Sequence, residues 1–276
     1  MASLLGFIGG SVLASLVLYF GLAGGLYYAR YVRRRGDAAT WKLQPTRWLS
    51  PAIHRHAIAL GTFNLVMASV ISGVVAWLIF RRGYGSLYFD LRTHGVVFSL
   101  STALAVFVVT DAGAYFAHRA YHQKALFSAV HRWHHRYGAP TPFTVTAMHP
   151  VEFLTYQAIF VLPAFVVPMH VVAYYGLLLY IFYYNTLDHS GIKHRSWWPW
   201  QPPSLFHDDH HKHFHCNFGQ SSLVWDRLFG TLRRRDRRYG EHVFGGRGEV
   251  AFDARRVEGA TTGAAGPEFI DYFAEP

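Results

Sequence analysis

The chain has 276 residues, 51% of them hydrophobic and only 15% charged, against about 25% charged in an average soluble domain. Such hydrophobicity excludes a disordered chain, and the single cysteine, Cys216, excludes a disulfide scaffold. The formal charge is +10, but the basic residues flank apolar segments instead of forming one stripe, so no nucleic-acid partner is expected.

Leu4 to Ala29 is an uncharged apolar run, longer than the roughly 20 residues that span a bilayer. It ends at Arg30-Tyr31-Val32-Arg33-Arg34-Arg35. It lacks the positive leader and short core of a secretory signal, and reads as a retained anchor. Ala57 to Phe80 is a second run, closed by Arg81-Arg82. Gly95 to Ala117 is a third, interrupted only by Asp111. Phe153 to Leu187 is a fourth, broken by Pro163, Pro168, Met169 and His170; two short helices in a hairpin suit it better than one span. From His194 onward the chain is polar and aromatic. The Trp197-Trp198-Pro199-Trp200 run predicts an interfacial anchor. Arg233 to Arg238 is a basic run facing either anionic headgroups or solvent.

These elements predict an all-α integral membrane protein with four to five membrane-embedded helices, one pair forming a hairpin, and a histidine-rich helical cap. The expected division is 1–110 for the N-terminal transmembrane helices and 111–240 for the catalytic part with its embedded hairpin 153–187. A polar tail, 241–276, is assigned no chemistry. Orientation follows the Lys/Arg bias. The loop 30–56 carries Arg30, Arg33, Arg34, Arg35, Lys42, Arg47 and Arg55, whereas 81–94 carries only Arg81, Arg82 and Arg92. The first loop is therefore expected in the cytoplasm, although Arg81-Arg82 runs against that assignment. Parity then puts every histidine-rich segment on the same face.

The chain holds 18 histidines, fourteen of them between 118 and 215, where they gather in short boxes. The first is His118-x3-His122, the second His131-x2-His134-His135, the third His207-x2-His210-His211, with His189 alone between them. On a helix of about 3.6 residues per turn, positions three or four apart share a face. Each box is thus expected to aim all its imidazoles one way, as chelation requires. Asp111 and Tyr115 continue the stripe of His118 and His122, and are expected to orient ligand histidines by hydrogen bonds. Asn185, four before His189, is expected to orient that ring. Nine imidazoles are too many for one four-coordinate zinc, and suit two metals with open positions. Carboxylates are few, which disfavours a bundle built on Glu-x-x-His. Donor type leaves zinc, copper, iron and nickel open.

His54, His56, His94, His170 and His242 read as ordinary core or surface residues, while His149, His194, His213 and His215 stand between outer partner and bystander. The hairpin aromatics Tyr174, Tyr175, Tyr180, Phe182, Tyr183 and Tyr184 read first as packing and interface belt, and second as the lining of a lipid pocket. A membrane metal-ion transporter or a zinc-stabilised membrane protein is the rival to an enzyme.

The ordered set Asp111-x3-Tyr115-x2-His118-Arg119-x2-His122, His131-x2-His134-His135, Pro140-x7-His149-Pro150-x-Glu152, Asp188-His189-Ser190-Gly191, His207-x2-His210-His211, Asn217-Phe218-Gly219 and Trp225 to Thr231 resembles the sterol desaturase/fatty acid hydroxylase superfamily of membrane oxygenases. The resemblance is greatest to sterol-modifying members, and sphinganine hydroxylases share most of the pattern. It implies a pair of iron ions held by the three boxes and His189, with zinc as a substitute in purified material. It implies O2-dependent hydroxylation or desaturation of a membrane lipid, in a bacterial inner membrane or the endoplasmic reticulum. Electrons would come from a separate donor, either cytochrome b5-like or a ferredoxin with its reductase. Some relatives carry a further histidine four residues after the position of His189; here it is Lys193, so His194 stays outside the expected ligand set.

Overall fold

A computed structural model describes residues 3–196, 198–250 and 270–273. Trp197 of the expected aromatic anchor and most of the 241–276 tail lie outside the described residues; Trp198 and Trp200 stack with ring centroids 5.4 Å apart. In chain order the helices are α1 (Leu4–Tyr27), α2 (Ala38–Trp41), α3 (Pro51–Arg82), α4 (Gly95–Tyr121), α5 (Lys124–Leu126), α6 (Arg132–His135), α7 (Pro150–Val161), α8 (Pro163–Val166), α9 (Val171–Asp188), α10 (Ser204–His213) and α11 (Val224–Phe229). Two short strand pairs complete the described residues: β1 (Leu87–Tyr88) runs parallel to β2 (Met169–His170), and β3 (Arg237–Arg238) antiparallel to β4 (Glu249–Val250). The protein is an all-α membrane protein.

Among the described residues, three helices are long and apolar enough to cross a membrane: Leu4–Val32, Pro51–Arg82 and Gly95–Tyr121. The first outruns the uncharged stretch that announced it, continuing through a π turn over Tyr28–Val32 that carries Arg30. Local signals set the ends. Ser3 Oγ caps α1 by accepting from Gly6 N at 3.1 Å, and Ser50 Oγ caps α3 with Pro51 at its first turn. Gly83, at φ 73°, ends α3 in the left-handed conformation that favours glycine. Pro163 opens α8 directly after α7, so the fourth apolar stretch folds as a hairpin of α7–α8 against α9.

The buried residues of α3 are mostly small: Ala57, Gly61, Ala68, Ser69 and Gly73. In a bilayer, helices gain little from apolar burial and associate through close packing, which small residues permit. A Cβ on Gly73 would stand 2.5 Å from Ile8 Cα of α1, so the two backbones touch there. Polar groups inside the bundle tie the loop 137–149 to these helices. Asn64 Nδ2 donates to Thr146 O and Met148 O at 2.9 and 2.8 Å. Tyr19 donates to Phe143 O at 2.9 Å, and Tyr31 to Pro140 O and Ser190 O at 2.9 and 2.7 Å.

These contacts gather the C-terminal ends of α1, α4 and α9 with the N-terminal ends of α3 and α7. The opposite end is closed by Ile79, Val106, Ala164, Met169 and Tyr174, packed around the β1–β2 pair. Every histidine box lies at the first end, beneath a cap made of α6, α10, α11 and the loops between them. Of the hairpin aromatics, Tyr174 packs into the core, and Tyr184 is buried with its hydroxyl on Pro202 O at 2.6 Å.

Candidate metal centre

The structure brings all nine box histidines together, none more than 6% exposed. They form two groups. His118, His122, His131, His135 and His210 make the first; His134, His189, His207 and His211 make the second; within each group the ligand atoms lie within 4.8 Å of one another. Here the expectation that each box points one way is corrected for the second and third boxes, while His118 and His122 of the first enter the same group. At about 100° per residue, an i, i+4 pair differs by roughly 40° around the helix, whereas the i+3 position falls roughly 60° to the other side. His131 and His135 therefore enter the first group while His134 enters the second. The third box does the reverse, sending His207 and His211 to the second group and His210 to the first.

The hydrogen bonds on the far nitrogens assign the tautomers. His118 Nδ1 donates to Phe218 O at 2.8 Å, His210 Nδ1 to Cys216 O at 2.7 Å, and His189 Nδ1 to Asn185 O at 2.8 Å. His131 Nδ1 donates to the buried Glu152 carboxylate at 2.6 Å. His122 Nδ1 faces His215 Nδ1 at 3.2 Å, and His215 Nε2 donates to Glu241 O at 3.0 Å. On these five rings of the two groups, Nδ1 carries the proton and Nε2 presents a bare lone pair inward. Within the groups the ring nitrogens crowd one another: Nε2 to Nε2 is 2.9 Å for His207–His189, 3.1 Å for His189–His134, 3.2 Å for His211–His207, 3.1 Å for His135–His131 and 3.4 Å for His135–His122. Nitrogens about 2.1 Å from a metal stand about 3.0 to 3.4 Å apart along the edges of an octahedron or tetrahedron. The spacing of the donors in each group is therefore one that could hold metal. Burial pushes His122, His131, His134, His135, His207, His210 and His211 well below the ordinary imidazole value, and His189 down to about 4. Neutral rings are the ones that bind metal.

Asp111 and Tyr115 act differently from the expectation that they meet the histidines, whereas Asn185 does hydrogen-bond His189, through its backbone and not its side chain. Asp111 accepts from Ser221 N at 3.0 Å and Trp225 Nε1 at 2.8 Å. Tyr115 pairs with Thr231 Oγ1 at 2.9 Å. Both grip the 217–231 segment, which in turn supplies the Phe218 carbonyl to His118. His118 and His122 of the α4 stripe join the first group, whereas Asp111 and Tyr115 act on it through the 217–231 segment. Asn185 holds His189 through its backbone carbonyl, while its Nδ2 donates to Ile181 O at 2.8 Å.

Asp226 organises the same loop. It accepts from Phe218 N at 2.8 Å, Gly219 N at 2.7 Å and Thr231 Oγ1 at 2.6 Å, and burial raises its pKa to about 6 despite these bonds. A Cβ on Gly219 would stand 2.2 Å from Ser222 O, so only glycine fits that turn. Asp209, on α10, anchors the cap through Arg233 Nη1 at 2.6 Å and the Tyr272 hydroxyl at 2.9 Å.

Sequence reasoning did not commit to Glu152, Asp226 or His215 as site residues. Glu152 carried a signal, a carboxylate at the head of an apolar run; the carbonyls of Phe218 and Cys216 carried none. Of the remaining histidines, His149 caps α7, His54 stacks on Tyr27 at 4.7 Å, and His213 lies near Asp209. None of them, nor His194, joins either group.

A cavity of about 310 Å³ leads into the site from within the bundle. Its inner end touches His118, His131, His134, His189 and Glu152; its outer part runs past Leu65, Ala68, Phe153, Phe160, Leu178 and Phe182. Among the hairpin aromatics considered for such a role, Phe182 lines it. A second hollow, of about 510 Å³, reaches His135 between Arg132, Trp133, Arg136 and Phe214.

Residues 103–231 match the fatty acid hydroxylase family. The Delta(7)-sterol 5(6)-desaturase of Candida glabrata is 32% identical over 163 residues, covering 58% of this chain and 44% of that protein. Lathosterol oxidase of Rattus norvegicus is 31% identical over 167 residues, covering 59% and 56%. That of Homo sapiens is 27% identical over 197 residues, covering 70% and 64%. The chain thus spans about half the length of the first two of these relatives. No solved structure gives a match. The matched segment contains both histidine groups and the loop that braces them, so over these residues the chain is similar to the fatty acid hydroxylase family and to the sterol desaturases and lathosterol oxidases.

Proposed function

We propose that the protein is a membrane-bound di-iron oxygenase that hydroxylates or desaturates a C–H bond of a lipid, sterol-like or long-chain. One observation carries the reading: two groups of buried histidine nitrogens meet at the inner end of a largely apolar cavity inside a transmembrane bundle. Iron held by neutral imidazoles would supply activation of O2; with two electrons from the separate donor and two protons from solvent, the products would be an alcohol and one water, or an alkene and two waters.

The protein's own part is positional. The cavity admits a hydrocarbon from the bilayer and keeps bulk water from the reacting carbon. Glu152, Phe218 O, Cys216 O and Asn185 O fix ring orientation and tautomer, which raises the basicity of the ligating nitrogens. Asn185 and Gln220 border the cavity beside His189 and His118.

Substrate and partners follow from the two openings. The apolar cavity suits a membrane lipid, and the relatives' names point to sterols. The hollow at His135, rimmed by Arg132 and Arg136 with Trp133 beside them, suits a separate acidic electron donor. The Lys/Arg bias supports a cytoplasmic position for this end, in a bacterial inner membrane or the endoplasmic reticulum. A transporter is less well supported, since transporters place their sites near the midplane on broken helices. Imidazole also accepts zinc, so metal analysis must be read alongside turnover.

The test is lipid mass spectrometry of cells with and without the protein, together with His134→Ala and His210→Ala. A shift of about +16 or −2 mass units in one lipid class, abolished by either substitution while membrane insertion persists, is the expected result. Full turnover in either variant would refute the ligand assignment.

A further inference from the structure

One face of the cavity is not apolar. On α7, the Tyr156 hydroxyl and Gln157 Oε1 are both buried and have no hydrogen-bond partner among the described residues. Both side chains line the cavity, as do Ser69 and Ser72 of α3 across from them. Gln157 is not free to turn. Its Nε2 donates to Ala68 O at 2.7 Å and to Ser72 Oγ at 3.1 Å, so the amide is clamped by α3 and its oxygen is presented as a fixed acceptor. Tyr156 adds a hydroxyl that can donate or accept. Buried polar atoms in a membrane interior ordinarily find partners, and an exception asks for an explanation.

We infer that Gln157 and Tyr156 form a receptor for a hydroxyl group inside the lipid cavity, so that the ligand it selects is a lipid alcohol. This rests on the cavity being the lipid site, as proposed above. The chemistry matches atom by atom: the alcohol O–H donates to Gln157 Oε1, and its oxygen accepts from the Tyr156 hydroxyl. A hydrocarbon or an ester lacks the proton that Gln157 Oε1 requires. Gln157 lies about 7.5 Å further along α7 than Glu152, at 1.5 Å per residue, and Glu152 abuts the ligand His131. Gln157 therefore meets the lipid more than one turn of α7 beyond Glu152. These are specificity residues.

The alcohol could be borne by a sterol or by a straight chain, and binding to purified protein in detergent separates the two. Four labelled probes serve: cholesterol, its hydroxyl-free parent cholest-5-ene, hexadecan-1-ol and hexadecane. The wild-type protein is expected to bind one alcohol about tenfold tighter than its matched hydrocarbon, the effect of one well-made hydrogen bond. Gln157→Leu should erase that preference by weakening the alcohol alone. Tyr156→Phe, which removes only the oxygen, should reduce it several-fold and guards against a folding defect in the first variant. Preference on the ring pair names a sterol alcohol, and on the chain pair a fatty alcohol. No preference on either scaffold, lack of binding included, or a preference that survives both substitutions, overturns the inference. Because the assay needs no turnover, these outcomes are independent of whether the metal centre oxidises lipid.

Discussion

Asp226 is buried at least 15 positions in sequence from any of the nine clustered histidines, yet the structure makes the first group depend on it. Its carboxylate holds Phe218 N, Gly219 N and Thr231 Oγ1, and the adjoining carbonyls of Phe218 and Cys216 orient His118 and His210. Both of those rings belong to the first group. In the second group, His189 is oriented by Asn185 O on α9, which Asp226 does not touch. Asp226→Ala leaves three buried donors without an acceptor, and at about 1–3 kcal/mol each, less than additively, should cost about 4–6 kcal/mol. Asp226→Asn keeps one oxygen for Phe218 N and Thr231 but sets an NH2 against Gly219 N, for about 2–3 kcal/mol. The milder variant is the informative one. Displacing an outer support of metal ligands typically costs roughly 10–100-fold in affinity, so graded chelation of Asp226→Asn should remove one metal well before the other. Metal per chain, measured against chelator concentration and alongside denaturant unfolding in detergent, reads both effects. If both metals leave together, or both stay at wild-type affinity while stability falls, the separate bracing of the two groups is wrong.

Two further outcomes follow from packing and burial. Metal-free protein should lose stability on acidification below about pH 6.5: the unfolded imidazoles bind protons there while His131, His134, His135, His207, His210 and His211 stay neutral well below it. Each such ring contributes a slope of up to about 1.4 kcal/mol per pH unit; a flat stability from about pH 7 to 5 would contradict their neutral burial. Gly73→Leu should separate α1 from α3 at a cost of about 1–3 kcal/mol, because the clashing atoms are the backbone of Phe7 and Ile8. Gly10→Ala, with open space around its Cβ position, should be neutral in the same unfolding assay.

What could be read from the sequence was what local spacing controls. Uncharged runs closed by arginine mark the spans because bilayer thickness sets their length. Pro163 and Pro168 break the fourth run because proline cannot continue a helix. Histidines three and four apart mark a chelating face because of helix pitch. Helix pitch also contained the division of each box between two groups, but only a second box facing the first turns a 100° difference between His134 and His135 into two sites. The roles of Asp111 and Tyr115 depend on the 217–231 loop, more than 100 positions away in the chain, coming to rest on α4. Which carbonyl meets which imidazole, and which polar atoms of α7 are left facing a cavity, are likewise settled by the packing of distant segments. Local periodicity chose the ligands; long-range packing decided how they are shared, braced and approached.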